Sequence, residues 1–205
     1  FRKQMELLTS AGFDALGIGS MEEPGFLREA GIELPMYFDQ GMYSWNHLAG
    51  AAMERYGADR LTIPVELNER EIRDSGVQGE MIVYGYLPMM ISAQCIRKTT
   101  LGCSGKSEIM WLKDRKDMRF PVVNQCRFCY NTIYNSAPLS LLGLSEQVTG
   151  LKPNAVRLNF TVEEPAAAGE ILDAFFEEYG MSEKAAEPPV LRNQFTRGHF
   201  KRGVE

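Results

Sequence analysis

Histidine is scarce in this chain: His47 and His199 are the only two among 205 residues. Neither belongs to an H-E-x-x-H helix, and no G-x-S-x-G turn or phosphate-cradling glycine-rich loop is present. A zinc-protease site, a hydrolase elbow and a nucleotide loop are therefore not on offer, and no sequence signature supports a Cys nucleophile paired with a His base. No run approaches the ~20 apolar residues needed to span a bilayer. The opening Phe1-Arg2-Lys3-Gln4-Met5-Glu6 lacks the basic-then-apolar order of a signal peptide. These absences predict a chain with no membrane partner, placed in the cytoplasm. An initiator Met is lacking too, so the chain is expected to be part of a longer polypeptide, whose remainder is its first partner.

Cysteine is equally sparse but not scattered. All four cysteines fall in one segment, as Cys95, Cys103, Cys126 and Cys129, a C-x7-C-x22-C-x2-C pattern. A lone cysteine is often just a small buried hydrophobe. Four in one segment, two of them in a C-x2-C knuckle, point instead to paired disulfides or a metal site, and reduced cytoplasmic thiols disfavour the disulfides. Zinc ribbons use two C-x2-C knuckles, whereas this chain has one. Four thiolates also suit an iron–sulfur cluster, whose ligand spacing is more permissive. Spacing leaves the two open.

The net charge of −5 argues against a nucleic-acid binder overall. Between Cys95 and Cys129, however, eight Lys or Arg stand against three Asp or Glu, a local balance of +5 that leaves −10 for the rest. The bland reading is a solvated basic loop. The sharper one is an anionic partner, RNA or a small carboxylate, met by Arg97, Lys98 and Arg127.

At 44% hydrophobic and 24% charged residues the composition is that of a globular protein. The first 90 residues read as alternating strands and helices. Strands are expected over Phe13–Gly19, Leu34–Phe38, Arg60–Val65 and Met81–Tyr86. The intervening helices are Met21–Ala30, Asn46–Tyr56 and Asn68–Asp74, with Gly31 and Gly57 as C-caps and Asn68 as N-cap. After Cys103 two strands flank a charged turn, a β-hairpin over about 104–125 that would bring the distant thiols together at its base. A helix over Leu139–Thr149, a strand over Ala155–Phe160 and an amphipathic helix over Pro165–Tyr179 follow, the last with a stripe of Ile171, Leu172, Phe175, Phe176 and Tyr179. The expectation is an α/β fold: part of a TIM-like (β/α) barrel over 1–180 with the inserted hairpin in the cysteine segment, then a basic tail over 181–205. About five barrel-type strands are fewer than the eight that close a barrel, so a homo-oligomeric partner could cover the open edge.

In such barrels chemistry sits at the C-terminal ends of strands. Those positions hold Asp39, Gln40, Tyr43, Glu66, Asn159 and Cys95. Glu66 is the candidate catalytic carboxylate, as a base or cation ligand; its plainer role is to cap the next helix or pair with an Arg.

The stretch Glu80-Met81-Ile82-Val83-Tyr84-Gly85-Tyr86-Leu87-Pro88-Met89-Met90-Ile91-Ser92-Ala93-Gln94-Cys95 resembles the signature segment of the U32 peptidases, often labelled collagenase-like proteases. In that pattern a Glu and a Gly precede a Ser and a Cys, matched by Glu80, Gly85, Ser92 and Cys95. Pro64-Val65-Glu66-Leu67 is similar to the family's preceding strand end, with Val65 where members often carry Arg. The segments around Cys103, Cys126-Arg127-Phe128-Cys129 and Thr196-Arg197-Gly198-His199-Phe200 resemble those of long bacterial members. The family label implies proteolysis. Similar members instead carry a [4Fe-4S] cluster on four cysteines and hydroxylate RNA or a quinone precursor without oxygen, some with prephenate as oxygen donor. Carried over, the resemblance implies cluster ligation by Cys95, Cys103, Cys126 and Cys129, with zinc as the alternative. The leading expectation is a four-cysteine metal- or cluster-dependent enzyme that hydroxylates RNA or a small molecule. The alternatives are a genuine protease and a non-catalytic structural-metal domain that binds a partner.

Overall fold

The structure, a computed structural model, describes residues 7, 10–181 and 194–203. The described residues form two compact units. The first holds those up to Ile82 with Glu146–Arg157 and the chain from Gly198; the second holds Val83–Ser145 and those of Leu158–Arg197.

The first unit opens with short parallel strands, β1 (Leu16–Ile18), β2 (Met36–Phe38) and β3 (Arg60–Leu61), in the order β1-β2-β3. Parallel neighbours need crossover connections. These are α1 (Glu22–Glu29) between β1 and β2, and α2 (His47–Tyr56) between β2 and β3. Helix ends follow the sequence closely. Asn46 Oδ1 accepts from the N–H groups of Leu48 and Ala49, and Gly57 closes α2 at φ 114°. Asn68 and Glu71 form a reciprocal capping box on α3 (Glu69–Ser75). Ile18, Leu27, Phe38, Met53 and Leu61 pack into one apolar core between the strands and helices.

Beyond β3 the parallel rhythm extends by one bridge, Thr62 to Glu80, the first residue of β4 (Glu80–Gly85). The expected strand Arg60–Val65 is thus shorter than its apolar run. Pro64 has no N–H with which to continue a ladder.

In the second unit β4 runs antiparallel to β9 (Leu139–Ser140), with Tyr84 opposite Ser140 and Gly85 opposite Leu139. Its sheet is ordered β10-β4-β9, where β10 is Ala155–Asn159. The architecture is mixed α/β with several sheets, and no closed barrel forms among the described residues. A parallel barrel would require another parallel neighbour where β9 pairs antiparallel instead.

A four-stranded antiparallel sheet, ordered β5-β8-β7-β6, carries the cysteines. Its strands are β5 (Pro88–Ser92), β6 (Ile109–Lys113), β7 (Arg119–Gln125) and β8 (Tyr130–Tyr134). The charged turn Asp114–Met118 joins β6 to β7: Asp114 Oδ1 accepts from Lys116 N and Met118 N at 2.7 and 2.9 Å. The helix expected over Leu139–Thr149 is corrected: Leu139 and Ser140 are strand, and α5 covers only Ser145–Gly150. Sheet pairing wins over helical propensity there, with Leu139, Leu141 and Leu142 all buried. Gly143 adopts φ 83°. The Glu178 carboxylate, at the end of α6 (Pro165–Glu178), accepts the Gly143 and Ser145 N–H groups at 2.7 and 2.9 Å. Along α6, Ile171 and Phe175 are buried while Leu172 and Phe176 are partly exposed.

Residues 182–193 and 204–205 of the expected tail lie outside the described residues. Within the second unit, Arg197 donates to Ser140 O and Leu142 O at 2.7 and 2.6 Å. Within the first, Phe200 is buried and its carbonyl accepts Glu69 N–H. The longest described helix has 14 residues, and none is long and apolar enough to cross a membrane.

Two stability measurements check this account. A Cβ at Gly85, where φ is 150°, would lie 2.4 Å from Asn159 O. Gly85→Ala is expected to lower the free energy of unfolding by about 3 kcal/mol in a denaturant titration. Asn68→Ala, which removes one half of the capping box, is expected to cost about 1 kcal/mol, and Asn68→Asp almost nothing. Equal stability of the Ala and Asp variants would dismiss the cap.

Candidate four-cysteine site

The two ends of the cysteine pattern are built differently. Cys126 and Cys129 occupy the turn Cys126-Arg127-Phe128-Cys129 that joins β7 to β8, closed by Phe128 N–H to Gln125 O at 3.0 Å. Cys129 takes the left-handed conformation at φ 56°, uncommon for a residue with a Cβ. Cys95 follows β5 and caps the short helix α4 (Ile96–Thr100), its Sγ accepting Lys98 N–H at 3.4 Å. (This helix precedes α5 in the chain.) Cys103 lies just past that helix between Gly102 and Gly105, at φ 85° and 67°.

The hairpin β6–β7 closes the long gap. Asn124 N–H reaches Glu108 O, Cys126 N–H reaches Ser107 Oγ at 3.3 Å, and Cys126 Sγ–H donates to Lys106 O at 2.9 Å. The segment that follows Cys103 is thereby laid against the C-x2-C turn. All four cysteines line one cavity of about 270 Å³, shared with Gln94, Lys98, Asn124 and Tyr130. The remaining thiol contacts are Cys95 Sγ–H to Asn124 Oδ1 at 3.5 Å and a long one from Cys129 Sγ to Cys126 O at 3.8 Å. All four cysteines are unpaired.

Gathering acidic thiols has an electrostatic cost. The Cys126 thiol is pushed above its ordinary value, first by desolvation and then by the negative charge that Cys103, Cys95 and Cys129 would carry. A bound cation relieves that repulsion, which couples metal affinity to deprotonation. Among the described residues no three Cys, His, Asp or Glu side chains are gathered tightly enough to hold a single metal ion. A tetrahedral zinc needs every sulfur at about 2.3 Å from one point. An iron–sulfur cluster also takes cysteine thiolates, each on a different iron, and four of them line this cavity. The residues present fit that group.

The signature residues also acquire physical roles. Glu80 and Asp39 both hold Arg157, at 3.2 and 2.6 Å. Gly85 admits the backbone of β10, as its missing Cβ requires. Ser92 Oγ closes a small turn, accepting Gln94 N–H and facing Gln94 O, both at 3.3 Å. That turn delivers the chain to Cys95.

Glu66 sits in the turn after β3, in the first unit, whereas the cysteines belong to the second. Arg97 is tied to Glu108 by an ion pair, so its charge is already met. Lys98 lines the cavity. Arg127 is exposed, with its guanidinium 5.4 Å from the centre of the Phe128 ring. His199 Nδ1 is bonded to Gly203 O at 2.8 Å, closing the last described turn.

Two residues escaped the reading of the sequence. Asn124 and Asn131 face each other across β7 and β8, at 1% and 0% exposure. Asn131 Nδ2 donates to Ser92 O at 3.3 Å and Gln94 O at 2.8 Å, so it ties down the approach to Cys95. The available signal was an asparagine two positions outside each knuckle cysteine, polar in strands otherwise rich in Val, Ile and Tyr. Further along β8, Tyr134 shares the neighbourhood of Glu163 with Tyr84 and Tyr86; burial, then the Glu163 charge, raises Tyr84 and Tyr86 above the usual phenol range.

No curated protein and no solved structure matches the chain. Residues 1–171 match one family over most of the 205-residue length, the stretch that contains all four cysteines and the Glu80-to-Cys95 signature. The chain belongs to peptidase family U32.

Proposed function

We propose that this U32 domain holds a [4Fe-4S] cluster on Cys95, Cys103, Cys126 and Cys129 and serves an enzyme that hydroxylates RNA or a small carboxylate substrate without oxygen. The observation that carries the reading is that four cysteines, remote in sequence, line one cavity. Four thiolates suit either zinc or a cluster, and the resemblance to cluster-bearing family members favours the cluster. Resemblance to family members that use such a cluster supports the reaction class, and the parallel strands of the first unit are what a partial barrel would contribute.

When bound, the cluster would supply one-electron chemistry. The chain's own residues supply the rest. β5, β7 and the turn before β8 hold the sulfurs in register, and Asn131 fixes the strand end that leads into Cys95. Lys98 places a positive charge on the cavity wall. Arg127 and Phe128 project from the turn as an exposed cation on an exposed ring, a combination that stacks on planar groups and meets phosphate or carboxylate.

The peptidase reading is the runner-up, favoured by the family's name. It asks one thiol to act as a nucleophile beside a base. The acceptors these thiols face are amide and peptide oxygens, which do not act as general bases.

Full-length protein purified without oxygen is expected to be brown and to carry about four irons per chain with matching sulfide. Replacing any one of the four cysteines by Ser should lower the iron content. A colourless one-zinc protein with unchanged fold and activity overturns the reading, and cleavage that is abolished by a single Cys→Ala change would favour the peptidase.

The charged rim has its own test. Lys98→Ala with Arg127→Ala is expected to weaken binding to single-stranded RNA and to lower its salt slope by about one per contact removed. Arg97→Ala should matter less because Glu108 already engages that guanidinium. Undiminished binding in the double variant removes this segment as the anion site.

A further inference from the structure

The Cys95 corner of the cavity differs from the others in what faces its sulfur. Asn124 is 1% exposed and reaches the cavity wall from β7. Its Oδ1 accepts the Cys95 thiol proton at 3.5 Å, and among the described residues its Nδ2 meets only the thioether sulfur of Met110, at 3.6 Å. A thioether is a weak acceptor. The Cys95 sulfur also receives Lys98 N–H at 3.4 Å. Cys126 and Cys129, by contrast, face backbone carbonyl oxygens of Lys106 and Cys126. A carbonyl has only an oxygen to offer; an asparagine amide has two ends.

Those two ends have nearly the same shape and opposite hydrogen-bonding character. A metal-bound Cys95 sulfur has no proton to give, so Oδ1 would then confront it lone pair to lone pair. A half-turn of the amide presents Nδ2–H to the sulfur and moves Oδ1 toward Met110, giving up only the thioether contact. The cavity keeps its shape. Asn131, opposite in register, does not turn in this way, because its Nδ2 is committed to two backbone carbonyls.

We propose that Asn124 is a positioning residue for Cys95 whose side-chain amide donates to the ligated sulfur and thereby raises the reduction potential of the cluster. This rests on the cluster reading above. Hydrogen bonds to ligand sulfurs stabilise the more negative, reduced state and are one of the protein's levers on potential. With Lys98 N–H, Asn124 makes Cys95 the corner with two N–H donors among the described residues.

The test uses full-length protein purified without oxygen, with iron and sulfide measured first and the potential then followed by electron paramagnetic resonance during a redox titration. Asn124→Leu removes the donor within a similar volume and is expected to shift the potential downward at unchanged iron content. Asn124→Asp keeps the shape, replaces the donor by an acceptor and should also shift it downward; it decides the matter if the Leu variant does not fold. A potential unchanged or raised in a folded, iron-loaded variant overturns the assignment of Asn124. An iron-free unsubstituted protein overturns instead the cluster reading beneath it, and does so before any substitution is made.

Discussion

The register of β7 against β8 is the constraint on which the cysteine cavity depends. Asn124 opposite Asn131 and Gln125 opposite Tyr130 leave four residues for the turn, two of them cysteines. Because side chains alternate along a strand, a slip by one residue would turn the asparagine of the slipping strand to the other face. A slip of β7 would take Asn124 out of the cavity; a slip of β8 would make Asn131 release the carbonyls of Ser92 and Gln94. The pairing of β6 with β7 is fixed by the same strand and carries Ser107 and Lys106 to Cys126. One central strand thus reaches Cys95 through Asn124 and holds Cys126 through its pairing with β6.

That precision is bought from the interior of the sheet. Two asparagines buried to this degree are costly unless hydrogen-bonded, and Asn131 Oδ1 has no hydrogen-bond partner among the described residues. Val122, two residues before Asn124 on the same strand and face, is fully buried. The turn adds its own cost, since Cys129 is held at positive φ where glycine would be easier.

Much of the fold was legible because local rules agree with tertiary ones in the first unit. Asn46 and Asn68 cap the helices they precede, and Gly57 closes α2. The charged turn between β6 and β7 was equally readable, because Asp114 satisfies the turn's own N–H groups. What stayed illegible depended on distant partners. Leu139–Ser140 reads as helix until β4 claims it as a strand. The strands β5 and β8 hide in segments whose pairing needs each other: Met89, Met90 and Ile91 are exposed, so β5 has no clean alternation to display. For the site, the cysteines announced themselves by composition. Asn124 and Asn131 did not, since an asparagine in a strand is informative only once the opposite strand is known.

The signature from Glu80 to Cys95 illustrates how a motif can be mostly scaffold. Glu80 balances Arg157 together with Asp39, and Gly85 makes room for the carbonyl of Asn159. Ser92 folds the last turn, which Asn131 then pins through two carbonyls. Three of the four motif residues therefore act on backbone or on a neighbouring side chain, and each lies upstream of the single one whose sulfur faces the cavity. A carboxylate, a glycine and a serine ahead of a cysteine suggest acid–base and nucleophilic chemistry when read as a string. Placed in space, only Ser92 acts next to Cys95, where an amide nitrogen and an amide oxygen meet the sulfur.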